Sequence, residues 1–216
     1  MLDAVALILL IRHAVTDQTG ERLYGRSDGV HLSEEGRADA EALAERLRKV
    51  PIHGLYVSPM ERCRETAEPI ARGRRVRPKV VRDLNEVDYG DWTGRSFAAL
   101  RRTKTWRRVR SSPSSARFPG GESLLEVQQR IVRAIEEVAG RHRGGTAALV
   151  THGDVVRLAL AHFAGIHLDL FQRLEAFTAS VTAIDVGDGM PRILRVNATG
   201  GLEDLAPRRV GRKMRG

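Results

Sequence analysis

A chain of 216 residues with 42% hydrophobic side chains can bury the core of one domain, and its formal charge of +9 comes from 36 basic and 27 acidic residues. Residues 101–117 hold seven basic side chains and no acid, and residues 207–216 hold five more and no acid; without those twelve, 24 basic residues stand against 27 acidic ones. That balance excludes a broad nucleic-acid surface and leaves a solvated basic tail plus one local patch able to attract a small anion.

The elements follow in chain order. AVALILLI (4–11) reads as a buried strand that runs directly into Arg12 and His13. It is too short to span a bilayer and carries no basic leader or small-residue cleavage site. The single cysteine, Cys63, cannot close an internal disulfide, so a cytoplasmic protein with no membrane partner is expected. LSEEG opens a helix with Ser33 as N-cap and Ala40, Leu43, Ala44 and Leu47 on one face. GLYVS (54–58) is a second strand. SPMERCRETA after it predicts a helix capped by Ser58, with Pro59 in the first helical position and Glu61 completing a capping box. KVV (79–81) is a third strand.

Residues 93–121 interrupt this order: arginine and serine dominate, Trp106 sits inside RTKTWRRVR, and SSPSSARFPGG reads as a long loop, together a basic lid insertion. A helix from Glu122 to about Gly140 places Leu124, Val127, Ile131, Ile135 and Val138 at helical spacing. TAALVT (146–151) is a fourth strand, a helix follows THGD, and SVTAIDV (180–186) and RILRV (192–196) complete the strands. The apolar run 159–171 suits a core helix and the face of a homodimer equally. The alternation predicts a three-layer α/β/α fold with a mainly parallel central sheet, in one domain over 1–203 followed by a basic tail over 204–216.

Ligands of an open parallel sheet bind at the carboxyl ends of its strands. There the sequence leaves Arg12 and His13, Ser58 leading to Arg62, Asn85 and Glu86, and Thr151, His152 and Gly153. Each alone has an ordinary reading as an ion pair, a satisfied core histidine or a surface pair. Together, two histidines, two arginines and one acid are the parts of phosphoryl transfer through histidine. A neutral imidazole attacks phosphorus, guanidinium groups match phosphoryl oxygens, and a protonated carboxyl supplies the leaving group's proton. The seven histidines show no metal-ligand spacing such as HExxH, and no metal or other cofactor is expected.

The ordered motifs Arg12-His13-Ala14, GRSD from Gly25, SPMERCRETA, LNEVDYGDWTG, GGES ending at Ser123, and VTHGD resemble the histidine phosphatase superfamily. The resemblance is to the branch containing cofactor-dependent phosphoglycerate mutase and fructose-2,6-bisphosphatase, over roughly residues 5–186, and it implies a phosphoglycerate mutase-like fold. It implies that His13 is the phosphorylated nucleophile, that Arg12, Arg62 and His152 bind the phosphoryl group, and that Glu86 is the proton donor. Substrate contacts are assigned to Thr19, Gly25, Tyr89, Gly153, Arg107 and Arg108.

The departures are informative. Ala14 replaces a glycine, a change tolerated where φ is negative. Thr19 stands where many relatives carry a phosphate-contacting asparagine, and can still donate one hydrogen bond. Phe97 stands where the mutases carry a substrate-binding lysine, and the mutase insertion after it is short here. These points favour a phosphatase, although Trp106 to Arg108 is similar to a basic pair that mutases use on the substrate carboxylate. The leading reading is an acid phosphatase-like phosphomonoesterase acting on a small anionic phosphate ester through phosphohistidine. A phosphoglycerate mutase-type phosphomutase is the second reading. A catalytically inactive phospholigand-binding protein is the third, and the presence of both nucleophile and acid speaks against it.

Overall fold

The computed structural model describes residues 5–18, 20 and 22–206. Strand β1 (Ala6–Arg12) is buried along its length because partners cover both of its edges and helices cover both of its faces. Its alternate side chains enter different cores, as a period of two requires. Ile8 and Leu10 pack with Val127, Ile131 and Ile135, while Leu9 and Ile11 pack with Leu43, Leu47, Ala67 and Ile70. The three layers follow from this one strand.

The helices are α1 (Glu34–Arg46), α2 (Glu61–Ala71), α3 (Phe97–Leu100), α4 (Lys104–Ser111), α5 (Leu124–Arg141) and α6 (Gly153–Phe163). The remaining strands are β2 (Gly54–Val57), β3 (Pro78–Val80), β4 (Thr146–Thr151), β5 (Val181–Val186) and β6 (Arg192–Ala198), and the sheet runs β3-β2-β4-β1-β5-β6. The first four strands are mutually parallel; β5 lies antiparallel to β1, and β6 antiparallel to β5. The register of β1 against β4 sets Arg12 beside Thr151, so the residues that follow, His13 and His152, emerge at one level.

Helix ends follow local chemistry, with one correction. Ser33 caps α1 by accepting from the Gly36 N–H, and Ser123 with Glu126 forms a complete capping box on α5. The expected Ser58 cap on α2 is absent. The helix begins at Glu61 after Met60, with no side-chain cap, and the fully buried Ser58 hydroxyl lies instead 2.8 Å from a ring nitrogen of His152. A buried hydroxyl takes the partner its position offers, and the end of β2 offers the histidine at the end of β4.

The stretch 111–121, expected as a long loop, contains a short helical turn, and the rest of the segment 93–121 holds α3 and α4. Thr103 caps α4, Pro113–Ser115 forms a 3₁₀ turn, and Leu100, Val109, Ala116 and Phe118 are buried in the core beneath α5 and α6. In the run 159–171, Leu160, Leu168 and Phe171 are buried within the molecule. Leu202 and Leu205 pack into the core on the α1 side, so the packed chain extends past the expected boundary at 203, while residues 207–216 lie outside the described residues. Among the described residues, no helix is long and apolar enough to cross a membrane.

Candidate active site

Parallel pairing of β1 and β4 continues one residue beyond the strands, where the His13 N–H donates to the Thr151 carbonyl at 2.9 Å. The imidazoles of His13 and His152 meet edge to face, with centroids 5.3 Å apart. His13 Nδ1 lies 2.8 Å from the Ala14 carbonyl oxygen, which can only accept. Nδ1 therefore carries the hydrogen and Nε2 keeps a lone pair, the state a nucleophile needs. Burial, then the charges of Arg62 and Arg12, hold the His13 pKa down at about 3, so the ring is neutral. Ala14 does not adopt a positive φ, and its methyl group is accommodated. Its N–H donates to Thr66, which ties the turn to α2.

His152 is fully buried, and the same logic fixes its tautomer. Arg62 Nη2 stands 3.2 Å from Nδ1 and can only donate, so Nδ1 accepts and the Nε2 hydrogen goes to Ser58. Burial, followed by the Arg62 charge, pulls the pKa of His152 well below its usual value. Arg62 also donates to the Gly25 carbonyl at 2.7 Å, and Arg12 Nη1 donates to the Ala176 carbonyl at 2.7 Å. Arg12 Nε and Arg62 Nη1 are buried with no hydrogen-bond partner among the described residues. Unpaired, buried guanidinium nitrogens are costly unless an anion receives them.

Two glycines allow the close approach. Gly25 has φ +51°, and a Cβ there would lie 2.9 Å from the Tyr89 ring. Gly153 begins α6 directly behind Arg12, where a Cβ would be 3.1 Å from Nε. Among the described residues no side chain caps that N-terminus, and its positive dipole end lies beside the two guanidiniums.

Glu86 faces this cationic group. Its Oε1 accepts from the Val87 N–H at 2.9 Å, and its Oε2 lies 3.7 Å from His152 Nδ1. Burial and then the Asp154 carboxylate push its pKa up to about 7, against the opposing pull of Arg62 and Arg12. Asp154 accepts from the Tyr89 hydroxyl at 2.9 Å and from Arg157. Beneath Glu86, Arg130 donates to the carbonyls of Asp83, Asn85 and Glu86 and pairs with Glu122.

Arg12, His13, Gly25, Arg62, Glu86, Tyr89 and Gly153 line one cavity of about 380 Å³; His152, expected to bind the phosphoryl group, is fully buried against His13 and is not among the lining residues. Thr19 lies outside the described residues. Arg107 and Arg108 require correction: both are exposed and neither lines the cavity. Helical spacing is the reason. Trp106, Val109 and Arg110 share the inward face of α4, whereas positions one and two after Trp106 turn outward. Asp154, Arg157 and the Ser58 hydroxyl were missed as site residues. The acid directly after HG in THGD, followed by Arg157 one turn later, was the available signal.

The family model of the histidine phosphatase superfamily (branch 1) matches residues 8–199. Phosphoserine phosphatase 1 of Hydrogenobacter thermophilus is 29% identical over 196 residues, covering 89% of this chain and 92% of the relative. A probable phosphoglycerate mutase of Cronobacter sakazakii is 30% identical over 182 residues, 82% of this chain and 84% of the relative. The solved structure of Bacillus stearothermophilus YhfR superimposes with a TM-score of 0.85 at 30% identity, over 90% of this chain and 98% of that one. A neutral, oriented histidine among unpaired cationic donors is thus set in a fold shared along nearly its whole length, and the chain belongs to branch 1 of the histidine phosphatase superfamily.

Proposed function

We propose that this histidine-dependent phosphatase hydrolyses small phosphate monoesters through a phosphohistidine on His13. The Nε2 lone pair attacks phosphorus, the bond from phosphorus to the ester oxygen breaks, and Glu86 gives that oxygen its proton. The hydrogen stays on Nδ1, donated to the Ala14 carbonyl, while positive charge spreads over the ring. Water then attacks phosphorus, Glu86 takes back a proton, and the phosphorus–nitrogen bond breaks to return neutral His13 and inorganic phosphate. Arg12 Nε, Arg62 Nη1 and the start of α6 hold the three phosphoryl oxygens throughout.

The observation that carries this reading is the pair of buried guanidinium nitrogens without a partner among the described residues, beside an imidazole whose free nitrogen is Nε2. A relative named phosphoserine phosphatase agrees with it, and a cytoplasmic site of action is part of the proposal. The test is phosphate release from a panel of monoesters, with 3-phosphoglycerate included and its isomeric product measured in parallel. Acid-quenched enzyme is examined for phosphate on His13. Release together with label on His13 is expected. Isomerisation without release would establish a mutase instead, and activity without label would overturn the covalent route.

A further inference from the structure

Beyond the phosphoryl-binding end, the cavity changes character. A chain of rings links its lining residues: Tyr89 against Phe118 at 4.9 Å, Phe118 against Trp92 at 5.3 Å, Trp92 against Trp106 at 6.0 Å, and Trp106 against Phe97 at 6.1 Å. Leu23 and Val109 complete this wall. Trp92, Phe118 and Val109 are buried in the core, but Phe97 and Trp106 are only partly covered and border the cavity. Phe97 and Trp106 thus offer partly uncovered ring surface to the cavity that His13 and Glu86 also line.

Among the described residues, the cations that line the cavity beyond Arg12 and Arg62 are poorly placed to hold a second anion. Arg157 is paired with Asp154 and lies over the Phe171 ring, so a carboxylate approaching it also approaches Asp154. Arg22 and Arg110 are exposed at the rim, where solvent screens them, and Arg22 already donates to the Gly94 carbonyl. From the ring wall and the spent or solvated cations, we infer that the preferred substrates are phosphomonoesters whose leaving alcohol has an aromatic or extended aliphatic body, in place of a compact second anion.

This inference rests on the phosphomonoesterase reading. The alcohol's apolar part lies against Trp106 and Phe97, and burial there is gained without any ion pair. Ethyl phosphate has little apolar surface to bury against that wall. O-phosphoserine presents a charged carboxylate and ammonium that rings cannot solvate.

The experiment compares kcat/KM for 2-phenylethyl phosphate, ethyl phosphate and O-phosphoserine, three primary alkyl esters that undergo the same bond cleavage. The phenylethyl ester is expected to exceed each of the others by about tenfold or more, through KM, as for an added apolar group in a fitted pocket. Trp106→Ala and Phe97→Ala should each draw the ratio of phenylethyl to ethyl ester toward one. Phosphate release from all three esters with no phenylethyl preference overturns the inference and leaves the phosphomonoesterase reading standing. Release from none, with no label on His13, refutes the underlying reading. The wild-type ratio decides the matter even if Trp106→Ala fails to fold, and an unchanged ratio in a folded Phe97→Ala and Trp106→Ala pair also overturns the inference.

Discussion

Arg130 Nη2 donates to the backbone carbonyl of Glu86 at 3.0 Å, so a side chain of α5 fixes where the proposed acid stands. The same guanidinium holds the carbonyls of Asp83 and Asn85 and pairs with Glu122. Arg130→Ala takes one partner from Glu122 and from three carbonyls, while Arg26 still holds Glu122 and the Glu86 carbonyl, and should lower stability by about 1–3 kcal/mol in denaturant melts. Arg130→Lys keeps the charge but not the fork. It should recover part of the stability while kcat stays low, because the loop carrying Glu86 is no longer held at three points. Wild-type kcat in Arg130→Lys would show that the anchoring is irrelevant to catalysis.

His13→Ala is expected to remove turnover by at least about a thousandfold, the order seen when a nucleophile is deleted from a catalytic set. Its melting curve should stay close to that of the wild type, because the side chain lies at a strand end in the cavity. Retention of more than a few per cent of activity would be incompatible with a phosphohistidine.

The pH profile follows from two shifted groups. His13, held at about 3, stays neutral and competent across the mildly acidic range. Glu86, raised to about 7, must be protonated to donate, so kcat/KM on alkyl phosphates should be high in acid and fall as pH rises through about 7. The Asp154 charge raises that value; Asp154→Asn should therefore move the basic limb to lower pH. Glu86→Gln should cost alkyl esters about 10²–10⁴-fold and p-nitrophenyl phosphate much less, since p-nitrophenolate leaves without a proton. Equal losses on both substrates would assign Glu86 a purely structural part.

Arg107 and Arg108 point outward from α4, and Arg108 contacts Ser115 on the surface. Replacing both with alanine should change KM for O-phosphoserine by no more than about twofold, as expected of screened surface charges. A rise of tenfold or more would mean that the segment rearranges when substrate binds.

The strand-end residues were legible because they lie beside apolar runs whose direction is unambiguous. LILLIR must be a buried strand, and whatever follows it must emerge at the sheet's carboxyl edge. Ser33 and Ser123 were legible for a similar reason, since capping is decided within four residues. Ser58 was misread because its local sequence is that of a cap, while its position at the end of β2 put it against His152, from a segment far away in the chain. The arginines of α4 were misread because composition shows that charge is present but not which way it faces. Only the packing of Trp106 and Val109 on the core settles the helix's rotation. The THGD acid and Arg157 one turn later were visible in the sequence, but their action on Glu86 and Tyr89 across the cavity depends on segments far apart in the chain.

The strand order has a consequence for how the protein comes into being. β4 sits between β2 and β1, yet it is made after both, along with α1 through α5. A nascent chain that has reached Arg141 holds Arg12, His13, Arg62 and Glu86. It lacks the strand that separates β1 from β2, so the facing edges of both stay open. His152 and the start of α6 arrive only behind that strand. Until β4 inserts, nothing holds the ends of β1 and β2 side by side, and the open edges of both strands are available for edge-to-edge association.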